Sequence, residues 1–228
     1  MTTKRSKLSG VLGALRLPAF CFAVLALASG RLDWGRLWLL AGLQLGMMVV
    51  NLPIIATRNP ELLQERFQKR EDTKPFDKVF AALMGLTLLA TLVVAGLDAG
   101  RYGWSRLPIQ TVALGIALHA LGDIPVVWAL STNKHLEATV RIQSDREHQV
   151  VTWGPYRHVR HPMYTGMLLM FSGWPLILGS AWAYLPLGAF AAVLVWRTSR
   201  EDKTLQAELA GYAEYASRTR FRLVPHVW

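Results

Sequence analysis

Gly154-Pro155-Tyr156-Arg157-His158-Val159-Arg160-His161-Pro162-Met163-Tyr164-Thr165-Gly166 is the stretch on which the reading of this chain turns. It packs pairs of glycines, prolines, arginines, histidines and tyrosines between apolar flanks. A polar cluster of that density at the edge of an apolar layer is costly unless it binds something. Gly154-Pro155 reads as a turn. His161-Pro162 reads as the start of a helix, with proline at the first position, where a missing amide hydrogen costs nothing. The free amides of that first turn then offer a place for a carboxylate or a phosphate.

Outward from this stretch the sequence is that of a membrane protein. Six apolar runs stand out, at 11–30, 35–56, 76–97, 107–130, 163–179 and 181–197. Each is near the roughly 20 residues a helix needs to cross a bilayer. Pro175 and Pro186 interrupt the last two, which are joined by Gly179-Ser180 and read as a tight helical hairpin. The expected fold is all-α and polytopic, with five or six transmembrane helices. The hydrophobic content of 52% and the positive mean hydropathy of +0.26 agree with this.

The charge pattern sets the expected orientation. Lys4, Arg5 and Lys7 precede the first run, and the 57–78 loop carries Arg58, Arg66, Lys69, Arg70, Lys74 and Lys78. Lys134, Arg141, Arg146, Arg157 and Arg160 fall in the 131–162 loop, and Arg197, Arg200, Lys203, Arg218, Arg220 and Arg222 belong to the tail. The intervening loops hold only Arg31, Arg36, Arg101 and Arg106, and Arg16 lies inside the first run. The positive-inside rule therefore places both termini and the two long loops in the cytoplasm. That distribution also disposes of a nucleic-acid reading of the +10 net charge and the pI near 10.2, because the basic residues follow topology. The start has the look of a secretory signal, with Ala26-x-Ala28 after a basic and an apolar stretch, but the run is long and five more follow. Cys21, the single cysteine, excludes an internal disulfide and a cysteine-rich zinc site. In the 57–78 loop, Asn59-Pro60-Glu61 reads as the cap and first turn of a short helix with Leu62, Leu63 and Phe67 on its apolar edge, lying on the inner leaflet.

Three blocks carry a family resemblance: Val140-Arg141-Ile142-Gln143 with His148-Gln149-Val150-Val151; the Gly-Pro-Tyr to Arg-His-Pro-Met-Tyr run; and Arg197 and Glu201 with Leu205, Tyr212, Tyr215 and a terminal Arg-Leu-Val-Pro. Together they resemble the isoprenylcysteine carboxyl methyltransferase and phospholipid methyltransferase superfamily of integral membrane enzymes. The resemblance covers residues from Asn133 to the end. It implies one membrane domain over 1–228, with N-terminal transmembrane helices in 1–130 and the methyltransferase signature in 131–228. It also implies S-adenosylmethionine as cofactor, held on the cytoplasmic face by His148, Gln149, Val150, Val151, Tyr156, His161, Pro162, Met163, Tyr164 and Glu201. By the same resemblance Arg197 contacts the methyl acceptor, and Arg197 and Glu201 are the candidate catalytic residues. Some relatives carry glutamine where Arg141 stands.

Physical reasons accompany several of these roles. No Gly-x-Gly-x-x-Gly follows a strand, so a Rossmann-type cofactor site is excluded and the pocket must come from helices and loops at the membrane face. His161 and the first-turn amides suit a carboxylate, Tyr156 and Tyr164 suit adenine and ribose, and the valines make an apolar wall. Arg197 and Glu201 are four apart and share a helix face that Leu205, Leu209 and Tyr212 continue. As an ordinary surface pair they would matter little, but charged residues at a membrane boundary tend to be functional. Arg197 suits an anionic acceptor such as a prenylcysteine-like carboxylate, whereas Glu201 suits proton removal from a phospholipid headgroup amine. The expected partners are a lipophilic or lipidated acceptor and membrane lipids, with no nucleic acid and no metal. His158 and His161 have ligand-like spacing, but Pro162 sets a helix boundary beside them and only Glu147 lies near. A membrane scaffold or transporter that retains the fold is the rival from another class. Inside the fourth run, His119 and Asp123 are either functional or satisfy each other or backbone freed near Gly122 and Pro125. Arg218, Arg220 and Arg222 around Phe221 are expected on anionic headgroups.

Overall fold

The computed structural model describes residues 2–65, 75–137 and 148–228, and among these every regular element is helical. In chain order they are α1 (Thr2–Ser29), α2 (Gly35–Arg58), α3 (Pro60–Glu65), α4 (Pro75–Ala95), α5 (Gln110–Thr132), α6 (Pro162–Leu178), α7 (Tyr184–Glu208) and α8 (Tyr212–Arg218). A π-helical segment, Gly96–Tyr102, prolongs α4, and a 3-10 turn, Gly154–Arg157, precedes α6. Gly35–Arg58, Phe76–Tyr102 and Gln110–Thr132 are long and apolar enough to span a bilayer, and Leu15–Ser29 and Pro162–Leu178 are shorter apolar helices. The protein is a multi-pass membrane protein. The sixth apolar run forms the first half of α7, which continues unbroken through Arg197 and Glu201 to Glu208. Arg141, Gln143, Phe67 and most of the basic residues of the 57–78 loop fall outside the described residues.

Two polar nodes fasten the ends of the bundle. At one end Asp98 is fully buried and accepts hydrogen bonds from the Ser105 amide and hydroxyl and the Ser180 hydroxyl, each 2.6 Å. That ties the end of α4 to the corner between α6 and α7. At the other end the Asn59 amide nitrogen donates to the Leu130 and Asn133 carbonyls, 2.8 and 3.1 Å away, and Asn133 donates to the Tyr156 hydroxyl at 3.1 Å. Asp77 at the start of α4 pairs with Arg197 of α7 at this same end. The described parts of the basic loops therefore meet at one end of the bundle.

The longest seam joins α5 to α6, and glycines make it possible. Gly115 and Gly122 on α5 face Gly173 and Gly166 on α6, each pair seven residues apart on its helix. A Cβ at Gly115 would come 2.7 Å from the Gly173 carbonyl oxygen, and one at Gly122 would meet the α6 backbone. Such close contact supplies dispersion where lipid offers no hydrophobic drive. The Trp174 indole bridges the seam, donating to His119 Nδ1 at 3.1 Å. Gly122→Leu is expected to force the helices apart, with an overpacking cost of about 1–3 kcal/mol, whereas Gly85→Leu, with nothing within 4 Å of a Cβ, should be tolerated. Thermal unfolding in detergent compares the two, and equal midpoints would discount the seam.

Several expectations need correction. The α6–α7 connection is short, but its arms diverge, α6 lying along α5 and α7 along α4, so the two do not form a closely paired hairpin. His119 and Asp123 do not satisfy each other: His119 receives Trp174, and Asp123 receives the Asn51 side chain. The Asn59 side chain, beside the start of α3, also serves the carbonyls at the end of α5, and Leu62 of α3 is buried. Arg222 turns inward, as described below, leaving Arg218 and Arg220 as the exposed cations of that trio.

Candidate functional site

Pro162 begins α6, as the sequence requires, with His161 at its N-cap in a non-helical conformation (φ −126°, ψ 63°). The first-turn amides are less open to an anion than expected, because the Tyr164 and Thr165 amides bond the His161 carbonyl at 3.1 and 3.2 Å. The tail locks this turn from outside. The Arg160 and His161 amides donate to the Phe221 and Arg222 carbonyls, both at 2.9 Å, and the Thr165 hydroxyl donates to the Leu223 carbonyl at 2.7 Å. Gly154, at φ +61°, takes the left-handed conformation that lets the chain turn into the 3-10 segment. Tyr156 is then buried, its carbonyl accepting the Tyr215 hydroxyl at 2.8 Å.

Between the 148–164 segment, α7 and α8 lies a cavity whose enclosed volume is about 60 Å³, or about 530 Å³ counting the open space at its mouth. His148, Gln149, Val150, Val151, Tyr156, His161, Pro162, Met163, Tyr164 and Glu201 all line it. So do Arg160, Asn133 and Leu136 and, further along, Leu205, Leu209, Tyr212 and Tyr215. The helix face begun at Glu201 does continue along the cavity, but α7 ends at Glu208, and Gly211 (φ +81°) restarts the chain as α8. Tyr212 therefore reaches the cavity from a separate helix. The His148 ring packs on His135, centroids 4.4 Å apart. His158 instead faces outward beside Trp128, away from His161.

Arg197 stands behind this wall, not in it. It is 1% exposed, its Nε lies 3.3 Å from Glu201 Oε2 and 3.5 Å from the Tyr164 hydroxyl, and the Tyr164 hydroxyl donates to Glu201 at 2.7 Å. A second guanidinium nitrogen pairs with Asp77, and the Phe76 and Phe80 rings cover the cation at 5.3 and 4.8 Å. Asp77, contributed by the N-terminal half, was not legible as a site residue: nothing in its local sequence signals a partner on α7.

Asp202 is the second residue that sequence reasoning missed. It is fully buried and accepts from Arg222 Nε (2.9 Å), the Tyr212 hydroxyl (3.0 Å) and Gln206 (2.9 Å). Arg160 Nε lies 3.2 Å away and His161 Nε2 3.4 Å away. Burial alone would raise its pKa, but the bonds from His161 and Arg222 and the Arg160 charge outweigh that and hold the carboxyl well below the usual range. Burial and the adjacent Asp202 carboxylate push the Tyr212 hydroxyl upward, so it remains a donor. Four segments of the site end thus meet on one carboxylate. In sequence, Arg200-Glu201-Asp202-Lys203 reads as a solvated helix end, which hides it.

Tyrosine rings and aliphatic side chains make the cavity's walls, and Arg160, His161 and Glu201 supply charge and hydrogen bonds.

The phospholipid methyltransferase family model matches residues 110–210, from α5 through the cavity-lining part of α7. Protein-S-isoprenylcysteine O-methyltransferase B of Arabidopsis thaliana is 31% identical over 112 residues, 46% of this chain and 54% of that protein. Delta(14)-sterol reductase TM7SF2 of Mus musculus is 35% identical over 83 residues, 35% of this chain and 20% of that protein. The chain thus matches about half the length of the first relative and a fifth of the second. One relative is named for methyl transfer and the other for reduction.

Proposed function

From the premise that this chain belongs to the superfamily of isoprenylcysteine carboxyl and phospholipid methyltransferases, we propose that it moves a methyl group from S-adenosylmethionine to a lipophilic acceptor reached from the bilayer. The observation that carries this reading is convergence. Ten residues spread from His148 to Glu201 line one cavity at the basic end of a membrane bundle. S-adenosylmethionine, when bound, supplies an electrophilic methyl on a sulfonium. The chain's own part is to position and to exclude water. His161 and Arg160 would hold the methionine carboxylate, the tyrosines and valines the adenosine, and Glu201 a cationic or hydroxyl group.

The acceptor's class has two readings. A prenylcysteine-like carboxylate has the support of the similarity to the Arabidopsis methyltransferase and of Arg197 near the cavity wall. A phospholipid amine has the support of a specific contact. Arg197 already faces two carboxylates, Asp77 and Glu201, so the cluster carries no surplus positive charge for an anion. Glu201 would then serve as proton acceptor. Methylation assays with a prenylcysteine analogue and with a phosphatidylethanolamine separate the two.

His161→Ala is expected to weaken S-adenosylmethionine binding by more than about tenfold and, because His161 is buried beside Asp202, to lower the ligand-free unfolding temperature without unfolding the protein. Calorimetry on the detergent-purified protein measures it, and unchanged affinity in a folded variant would remove the cofactor from this cavity. We further propose that the cavity end faces the cytoplasm. In a Cys21→Ser background, a cysteine at Arg101 should react with an impermeant thiol reagent on intact cells and one at Arg58 should not. The opposite pattern would invert the orientation.

A further inference from the structure

Separate from the cavity, and sharing no lining residue with it, α2 and α5 enclose a long groove on an exposed face of the bundle, about 1100 Å³ including its open mouth. Its α2 wall runs from Trp38 to Asn51, a helical rise of about 20 Å. Gly42 and Gly46 lie one turn apart along it, and a Cβ on either would meet nothing within 4 Å. The lining is apolar except at one end. There the Asn51 amide nitrogen donates to both oxygens of Asp123, at 3.0 and 2.9 Å. The Trp38 indole is turned elsewhere, donating to the Leu32 carbonyl at 2.7 Å.

This polar end is short of donors. A carboxylate accepts about four hydrogen bonds, and among the described residues a single neutral nitrogen, Asn51 Nδ2, serves both oxygens. His119, one turn before Asp123 on the same helix, is engaged with Trp174. Both Asn51 and Asp123 sit well inside spanning helices, where a negative side chain is costly without a counter-charge. The groove beside them is open along one side, lies between two helices apolar enough to span a bilayer, and is long enough for an extended alkyl chain. A ligand that completes the arrangement brings a donor and a positive charge at one end and hydrocarbon behind it. A fatty acid would set a second negative charge against Asp123. A fatty alcohol would supply a donor but no charge.

We propose that the α2–α5 groove binds a single-chain lipophilic amine, its ammonium on Asp123 and its chain along Gly46 and Gly42 toward Trp38. This assignment is independent of the methyl-transfer reading.

The test uses a long-chain alkylamine carrying a photoactivatable group in mid-chain, added to the full-length protein in nanodiscs. After irradiation, adducts are mapped by peptide mass spectrometry. Adducts are expected within 38–51 and 120–124. An unlabelled alkylamine of equal length should reduce them at least about tenfold more effectively than the matching alcohol or fatty acid. Asp123→Asn should lower labelling by a similar factor. Gly46→Leu, which fills the floor without touching the polar pair, should abolish labelling at an unchanged unfolding temperature. Equal competition by the alcohol in the wild-type protein would overturn the proposal, as would undiminished labelling in a folded Gly46→Leu variant.

Discussion

Arg197→Ala is expected to destabilise the protein by about 3–5 kcal/mol and to cut methyl transfer by about a hundredfold or more. The first effect follows from burial. Arg197 is 1% exposed and Asp77 2% exposed, so truncating the arginine takes from a buried carboxylate the guanidinium it pairs with. The second effect follows from the wall that Arg197 supports. Its Nε holds Glu201 and Tyr164, whose other faces line the cavity. These effects would be confounded in a single variant, so the pair must be cut from both sides. Asp77→Asn combined with Arg197→Gln removes both charges and should recover most of the lost unfolding temperature. If Arg197 acts on the acceptor, transfer should stay low in the double variant. Arg197→Lys should recover little, because a point charge does not reproduce the fork that reaches Asp77 and Glu201 together. Full transfer in a folded double variant would reduce Arg197 to a structural tie between α4 and α7.

How much of this was legible beforehand depends on the length scale of the signal. Local signals read well. Pro162 starts α6 where a proline can start a helix, and Gly154 turns the chain where a glycine is needed. The cavity-lining set within 148–164 was readable because one short segment holds nearly all of it. Spacing along one helix also read well, since Glu201 and Leu205 share a face of α7. Contacts between distant segments did not read. Asp77 and Arg197 are 120 residues apart, and each looks like an ordinary charge beside a membrane run. The pairing of α5 with α6 was hidden for a related reason. It rests on two glycine pairs whose spacing matches only after the helices are laid together. Apolar runs announce helices but carry no register. His119 and Asp123 were visible as intramembrane polar residues, yet their partners, Trp174 and Asn51, lie on other helices.

Asp202 shows the same blindness and leads to the other large effect. Asp202→Ala is expected to cost about 3–5 kcal/mol and to abolish measurable cofactor binding. Without the carboxylate, Arg160 and the Tyr212 hydroxyl lose their shared partner, and Arg222 no longer anchors the tail over the start of α6. Asp202→Asn keeps the shape and one acceptor oxygen, and so should cost less at neutral pH. The informative comparison is the acid limb. The folded-state pKa of Asp202 is depressed, so its contribution is present above the unfolded carboxylate value near about 4. It is lost as pH falls through the lower folded value. The wild-type protein should therefore lose unfolding temperature as it is acidified from about pH 5, and Asp202→Asn should lose less over the same interval. Superimposable acid limbs would mean that Asp202 is not the carboxylate that joins the tail, α7 and α8 around the cavity. A flattened limb together with weakened cofactor binding would tie the stability of that junction to the integrity of the site, because the residues that gather on Asp202 also carry His161 and Tyr212 to the cavity wall.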